Sequence, residues 1–565
     1  MSSQAKTWLA TCLIVALAIS STASAQKVTE ERLQSLIQAA AARAGVQTTS
    51  ATQVPPSSGQ VPAATANGPS TTPLSLDDAI KLALDRNLDI AVQRLNPQTY
   101  DFSVSSLKAL YRPIATANFL KQSATNGSAT TIQGSTTAGT PITVQTGTYN
   151  AGVTQYSPWG GGNVVLTLNN LKTTTTSANV TVNPQYTPVW SLTLTQPLLR
   201  NFKTDTNRET IVITKLNQDI SELQLQSTII NTLSNVRNAY WNYVYAVQSV
   251  DVAQRSVDLA EQLVKDNQTR VEVGTMARID VVTAQSQAAT ARQNLAAAVG
   301  TKRTNELALK RLIVGGTQDA LWNQTINPID QPDFVSQTVD VGDAVRKALA
   351  ARTDLAQVRK NLDVNKVTLQ YLNNQTLPEV DFVGVYRRSG LGGTQFINSG
   401  SGLNVTRVGT IPGGYSDALS TLFNGKYPTW NFGINVTYPI GTSAQEANVQ
   451  RAKVQDNQVD AQLRQIELQI ATDVTNAAVT VQSNVDRVQA AKSASELAQE
   501  SLTAEQSKFE VGMSTNYNVI LAQRDLETAQ VNELQAVLAY RQAVVELERL
   551  QQTSLTSSNI TILGH

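Results

Sequence analysis

Apolar residues recur at steps of four and three along two long stretches of the chain. In the first, Leu225, Ile229, Leu233, Val236, Tyr240, Tyr243, Val247 and Val250 share one helical face, and Val257, Val264 and Val271 continue it every seven residues. In the second, Leu463, Ile466, Ile470, Val474, Ala477, Val481, Val485 and Val488 repeat the pattern. A seam from about Leu216 to Val271 predicts a helix of roughly 80 Å at about 1.5 Å per residue, the length of a coiled coil rather than of a globular helix. Its borders are Ala, Gln, Asn, Thr and Ser rather than blocks of Glu and Lys, so it suits packing on two sides or lining a wide aqueous space.

Elsewhere the period is two. Trp430, Phe432, Ile434, Val436 and Tyr438 alternate with Asn431, Gly433, Asn435 and Thr437, and Trp190, Leu192 and Leu194 alternate with Ser191, Thr193 and Thr195. Eight steps at about 3.3 Å give roughly 26 Å, the height of the apolar band on a membrane-spanning strand. Trp430 and Tyr438 would be its aromatic girdles, and Pro439 and Pro197 end the two runs. Weaker partner strands are expected over residues 114–120 and 380–386, after Pro113 and Pro378. Four strands cannot close a barrel, and an open sheet in lipid leaves backbone groups unpaired. Other copies must complete it, and three copies give a barrel of about twelve strands. Between Lys121 and Pro188, two strand-like pieces, 149–156 and 164–168, flank Pro158-Trp159-Gly-Gly-Gly162. They are expected to prolong a hairpin outside the membrane; as barrel strands they would make the count of twelve wrong.

The chain also repeats itself. The run that starts at Leu76 and ends at Leu84 aligns with Val341 to Leu349, Trp190 aligns with Trp430, and Arg270-Val-Glu-Val-Gly274 aligns with Lys508-Phe-Glu-Val-Gly512. A period this long is a domain-scale duplication. The expected organisation is a signal peptide (1–25), a short helix and flexible linker (26–73), a first repeat (74–332), a second repeat (333–552) and a tail (553–565).

Composition narrows the chemistry. Among 565 residues the only His is His565 and the only Cys is Cys12. Cys12 lies in a segment with Lys6, an apolar run too short to span a bilayer, and Ala23-Ser24-Ala25, the pattern of an export signal. Ser-His and Cys-His nucleophiles, imidazole or thiolate metal sites and disulfides are therefore excluded from the exported chain. The 44 basic and 43 acidic residues nearly cancel, which argues against nucleic acid as a partner. No later segment has enough consecutive apolar residues for a membrane helix, so any membrane entry is by strands. No nucleotide-binding P-loop occurs, and no cofactor is expected.

These features together resemble the TolC family of bacterial outer membrane efflux proteins. The carriers are the opening helix at 76–90, the strand-to-helix segments Ser191-Leu-Thr-Leu-Thr-Gln-Pro197 and Asn435-Val-Thr-Tyr-Pro439, and the two Val-Gly turns. Each turn is followed by a matching segment, Asp280-Val281-Val282-Thr-Ala-Gln285 or Asn518-Val519-Ile520-Leu-Ala-Gln523. The resemblance implies a mixed, mainly α fold, with very long coiled helices forming a periplasmic α-barrel below a trimer-completed 12-stranded β-barrel, four strands per chain. It implies a homotrimer in the outer membrane lipid that passively conducts substrate from an inner-membrane efflux pump or ABC exporter, linked by a periplasmic adaptor. It places adaptor docking at Val273, Gly274, Thr275, Val511, Gly512 and Met513, and makes Arg278, Asp280, Arg524 and Asp525 candidate gate charges. Trp190, Leu192, Leu194, Trp430, Phe432, Ile434, Val436 and Tyr438 would face lipid.

Each feature also has a plainer reading. Gly274 and Gly512 serve as helix C-caps that need a left-handed backbone, and the charged residues suit solvated helix faces. A secreted coiled-coil structural or adhesive surface protein is the alternative, although it gives no reason for the strand from Trp430 to Tyr438. A carboxylate hydrolase using Asp77 and Asp78 is weaker still, since acids at a helix start suit its dipole.

Overall fold

The computed structural model describes residues 71–129, 139–331, 334, 339–399, 406–441 and 443–553. The expected signal peptide, most of the linker and nearly all of the tail lie outside the described residues, with Cys12 and His565. In chain order the elements are β1 (Thr71–Leu74), α1 (Leu76–Arg86), α2 (Leu88–Ala109), β2 (Ile114–Gly127), β3 (Pro141–Tyr156), β4 (Asn163–Thr175), β5 (Val182–Pro197), α3 (Thr206–Glu272), α4 (Arg278–Ile313), α5 (Ala320–Asn323) and β6 (Thr325–Pro328). The second half continues with α6 (Val341–Ala351), α7 (Thr353–Gln375), β7 (Glu379–Ser389), β8 (Gly392–Ser399), β9 (Thr406–Ile411), α8 (Tyr415–Phe423), β10 (Tyr427–Thr437), α9 (Ala444–Glu510) and α10 (Asn516–Gln551). The four helices α1, α2, α3 and α4 have 11, 22, 67 and 36 residues, and α6, α7, α9 and α10 have 11, 23, 67 and 36, so each half builds the same set.

At about 1.5 Å per residue each 67-residue helix is about 100 Å long. Side chains fix where they start. Asp205 caps α3 by accepting from the Arg208 amide (2.9 Å), and Ser443 caps α9 in a reciprocal box with Glu446. The seam residues expected from the sequence are the ones that pack. Ile229 and Leu233 meet Ile90 of α2, whereas Val257, Ala260 and Leu263 meet Ala288, Ala291 and Ala284 of α4. Thus α3 runs beside α2 at one end and α4 at the other, with alanines letting the helices approach closely. In the second half Ile470, Val474, Val481, Val485 and Val488 of α9 pack with Ala536, Tyr540 and Leu547 of α10 and with Ala344 and Ala348 of α6.

Two boundaries differ from expectation. The single opening helix at 76–90 is broken at Asn87, whose backbone is extended and whose side chain accepts from the amides of Asp89 (2.9 Å) and Ile90 (3.2 Å), starting a new helix. Residues 71–73, expected to end the linker, form β1, which pairs in parallel with β6, some 250 residues away. That small sheet is pinned by buried groups. Tyr240 donates its hydroxyl to Asp330 Oδ2 (2.7 Å), and Tyr243 donates to the Ile326 carbonyl. Burial pushes both phenols far above their usual range. The almost fully buried Lys310 pairs with Glu306 at 2.8 Å. Removing that cation in Lys310→Met strands a buried carboxylate, and a loss of about 3–5 kcal/mol is expected. Thermal unfolding of the detergent-solubilised protein measures it, and an unchanged midpoint would count against the pair.

The main sheet runs β10-β7-β5-β4-β3-β2, all antiparallel, and beyond its far end β8 pairs with the start of β5 and with β9. All four expected strands are present, and the mainly helical class with an antiparallel sheet holds. Residues 141–175 lie in the same sheet as two strands between β2 and β5, so β2 pairs with β3 rather than with β5. The turn that allows this is Gly160-Gly161, both in the left-handed region (φ +68° and +66°). A Cβ on Gly161 would stand 2.5 Å from the Asn201 carbonyl, so only glycine lets the turn seat against the chain entering α3.

Candidate functional site: an apolar sheet face and two helix tips

Side chains alternate across a strand, and here the alternation is inverted relative to a water-soluble sheet. In β5 Leu192 and Leu194 are exposed (37% and 38%) while Ser191, Thr193 and Thr195 are half-buried. In β10 both faces are exposed, and the apolar one is formed by Trp430, Phe432, Ile434 and Val436, all more than 60% exposed, with Tyr438 following at 55%. Register brings the two sets together: Trp430 lies opposite Tyr386 of β7, which lies opposite Leu192. Trp190 packs edge-on against Tyr386 (5.8 Å), and Phe382 stacks on Phe432 (6.2 Å). The eight residues expected to face lipid thus share one apolar face with Tyr386 and Phe382. The opposite face carries Thr167, Ser191, Arg387 and Thr429, with the Thr167 and Ser191 hydroxyls 2.6 Å apart.

At the other end of the helices are the two tips. Val273 caps α3 and Val511 caps α9, each followed by a left-handed glycine, Gly274 and Gly512, at φ +80°. The amides of Thr275 and Met513 return to the carbonyls of Arg270 (2.9 Å) and Lys508 (2.8 Å), closing each helix end. The tips expose their apolar residues: Val273 67%, Val511 71%, Met513 79%, joined by Ile279 and Tyr517. Nothing stands within 4 Å of a Cβ built on either glycine.

The four candidate gate charges are not gathered into one cluster. Arg278, Arg524 and Asp525 are exposed, and Asp280 is half-buried. Arg524 lines a polar cleft of about 460 Å³ with Gln287, Thr290, Asn294 and Glu527. Ion pairs at this end use other residues, Arg292 with Glu261 (2.7 Å) and Lys508 with Glu505 (3.0 Å). The Ser514 hydroxyl and then Lys508 hold the Glu505 carboxyl below its usual range.

A separate set of polar contacts ties the α3–α4 hairpin to the α9–α10 hairpin. Fully buried Asn267 donates to Asn516 Oδ1 (2.8 Å), and Asn516 in turn donates to the Asp280 carbonyl (3.1 Å). Arg270 lies over the Phe509 ring (4.3 Å) and donates to the Phe509 carbonyl (3.1 Å). Glu527 accepts from Ser256 (2.8 Å) and Asn294 (3.2 Å). A signal for Asn267 existed, since it stands between Val264 and Val271 on the seam, and a lone polar residue there fixes register.

Residues 164–315 and 338–551 match the outer membrane efflux protein family. No curated protein sequence matches the chain. Among solved structures, the fold is similar to the Campylobacter jejuni CmeC outer membrane channel (TM-score 0.57, 15% identity, 86% of this chain and 90% of that one). It is similar also to the open state of the Neisseria gonorrhoeae MtrE outer membrane channel (0.56, 18%, 84% and 88%) and to the Vibrio cholerae outer membrane protein VceC (0.57, 13%, 84% and 95%). With the family model covering more than half of the chain, an exposed apolar sheet face at one end and paired helical hairpins at the other, the protein belongs to the outer membrane efflux protein family and is an outer membrane efflux channel that extends into the periplasm.

Proposed function

We propose that three copies assemble into the exit duct of a tripartite efflux or type I secretion system. A periplasmic adaptor and an inner-membrane pump or ABC exporter supply cargo and energy, and the duct conducts passively without a catalytic step. The observation that carries this reading is the inverted pattern of β5: leucines exposed while the serine and threonines between them are half-buried suits a wall between lipid and water. Residues 74–332 and 333–552 are taken as two copies of one unit, with the inverted strands at one end and docking tips at the other. Membrane fractionation followed by sizing in detergent tests it. A heat-sensitive trimer in the outer membrane is expected, and a soluble monomer would refute the reading.

The tips close, on this reading, through contacts between the two hairpins rather than through Arg278, Asp280, Arg524 and Asp525 alone. Opening requires the α9–α10 hairpin to part from α3–α4, and the buried Asn267–Asn516 bond stands across that seam. Asn516→Ala leaves a buried amide unsatisfied at about 1–3 kcal/mol and biases the tips toward opening. Higher leak of a large antibiotic, at unchanged trimer abundance, is the expected readout. Leak equal to the parent's would remove the Asn pair from the closing contacts.

A further inference from the structure

The inserted hairpin β3–β4 carries the same inverted pattern as the strands on either side of it. Across the sheet Ala115, Val153, Leu166, Leu192, Tyr386 and Trp430 form one row. The next row is Thr116, Gly152, Thr167, Ser191, Arg387 and Thr429. One row is wholly apolar and its neighbour small or polar, without a break at the hairpin. Val153 (39%) and Leu166 (37%) are as exposed as Leu192 (37%), while Gly152, Thr154, Val165 and Thr167 are half-buried. A hairpin standing in water beyond the membrane would have no reason to turn its leucines and valines outward in register with the lipid-facing residues of β5.

Its depth agrees. The turn between β3 and β4 lies where β5 ends at Pro197: Gln196 Nε2 donates to the Gly160 carbonyl at 2.7 Å, and Gly161 abuts Asn201 just before α3. The hairpin therefore spans the sheet down to the helical end. The outer strands of the row, β2 and β10, have sheet partners on one side only among the described residues, and nearly every residue on them is exposed. They run in opposite directions, because six antiparallel strands separate the first from the last by an odd number of reversals.

We propose that β3 and β4 are membrane-spanning wall strands, and that the β10 edge of one copy pairs antiparallel with the β2 edge of the next. Three copies then close a barrel of about eighteen strands rather than twelve. This rests on the trimeric channel reading above. Barrel diameter grows roughly linearly with strand number, so the pore is about one and a half times as wide as a twelve-stranded one, in the size range where porins hold an open aqueous channel. Cargo selection then falls to the helical tips, and the barrel passes whatever the tips admit.

With Cys12 the only cysteine, and in the expected signal segment, single-cysteine variants can be spin-labelled without background. Labels at Val153→Cys, Leu166→Cys, Leu192→Cys and Ile434→Cys in reconstituted trimers are compared for collision with oxygen, which favours lipid, and with a water-soluble nickel chelate. All four are expected to favour oxygen, and labels at Thr154→Cys and Thr167→Cys to favour nickel. Lipid exposure at Leu192 and Ile434 with aqueous exposure at Val153 and Leu166 would put the hairpin outside the membrane and overturn the proposal, leaving the channel intact. Aqueous exposure at all four would bring down the channel reading itself. As a second measurement, end-on electron-microscopy projections of the trimer distinguish the two diameters, and a twelve-strand ring would overturn the proposal by itself.

Discussion

Ile434→Arg should abolish outer membrane assembly, while Asn435→Arg, one residue away, should leave a stable trimer. Both positions are exposed on β10, and Ile434 is 62% exposed, so neither substitution meets a packed neighbour within the chain. The difference is the face. Ile434 stands midway between Trp430 and Tyr438, and an arginine near the middle of the lipid band costs about 2–4 kcal/mol. That charge recurs in every copy of a symmetric assembly, so the penalty is about threefold per channel. Asn435 belongs to the face with Asn431 and Gly433, where a guanidinium meets water. Heat-modifiable trimer in the outer membrane fraction is the measurement. Equal assembly of both variants would mean that the aromatic-bounded face of β10 does not meet lipid.

Val511→Asp combined with Met513→Asp should reduce export to the level of a strain lacking the channel, with trimer abundance unchanged. These side chains are 71% and 79% exposed, so the chain's own fold loses almost nothing. A docking partner that buries them loses roughly 1.5–3 kcal/mol per large apolar side chain and must desolvate a carboxylate besides. Replacing the glycines instead is a less clean test. At φ +80° a β-branched side chain strains the turn itself, so Gly512→Val disturbs the helix end as well as the surface. Export at parental rates from the double aspartate variant would separate the exposed tips from docking.

Much of this protein was legible in its sequence because the signals are local. Seam residues such as Ile229, Val236 and Val474 repeat at helical spacing over dozens of residues, and burial follows that repeat closely. The strand from Trp430 to Tyr438 declares its two faces within nine residues, and the Val-Gly dipeptides mark the two left-handed turns at φ +80°. The break at Asn87 has no distinct sign in the sequence, because an asparagine cap looks like any polar residue inside an amphipathic run. Strand β1 is not legible locally, because its partner β6 is remote in sequence and parallel, a pairing with no local signature. The closing contacts at the tips join residues such as Asn267 and Asn516, 249 positions apart, which only packed helices bring together.

The wall of the sheet draws the line most clearly. Alternation in the sequence was enough to set which side of β5 and β10 is apolar, since a period of two assigns faces without knowledge of neighbours. It also marked strand-like pieces at 149–156 and 164–168. It could not say where they go, because alternation specifies a face and not a partner: β2 fits beside β5 as well as beside β3 on pattern alone. Pairing was decided in three dimensions, by a glycine turn that seats against Asn201 and by a register that carries one apolar row through all six strands. The sequence by itself determined the long helices, the two faces and the two tips. Which strands neighbour which within the sheet was decided only by the tertiary structure, because strand order is a property of hydrogen bonds between segments far apart in the chain.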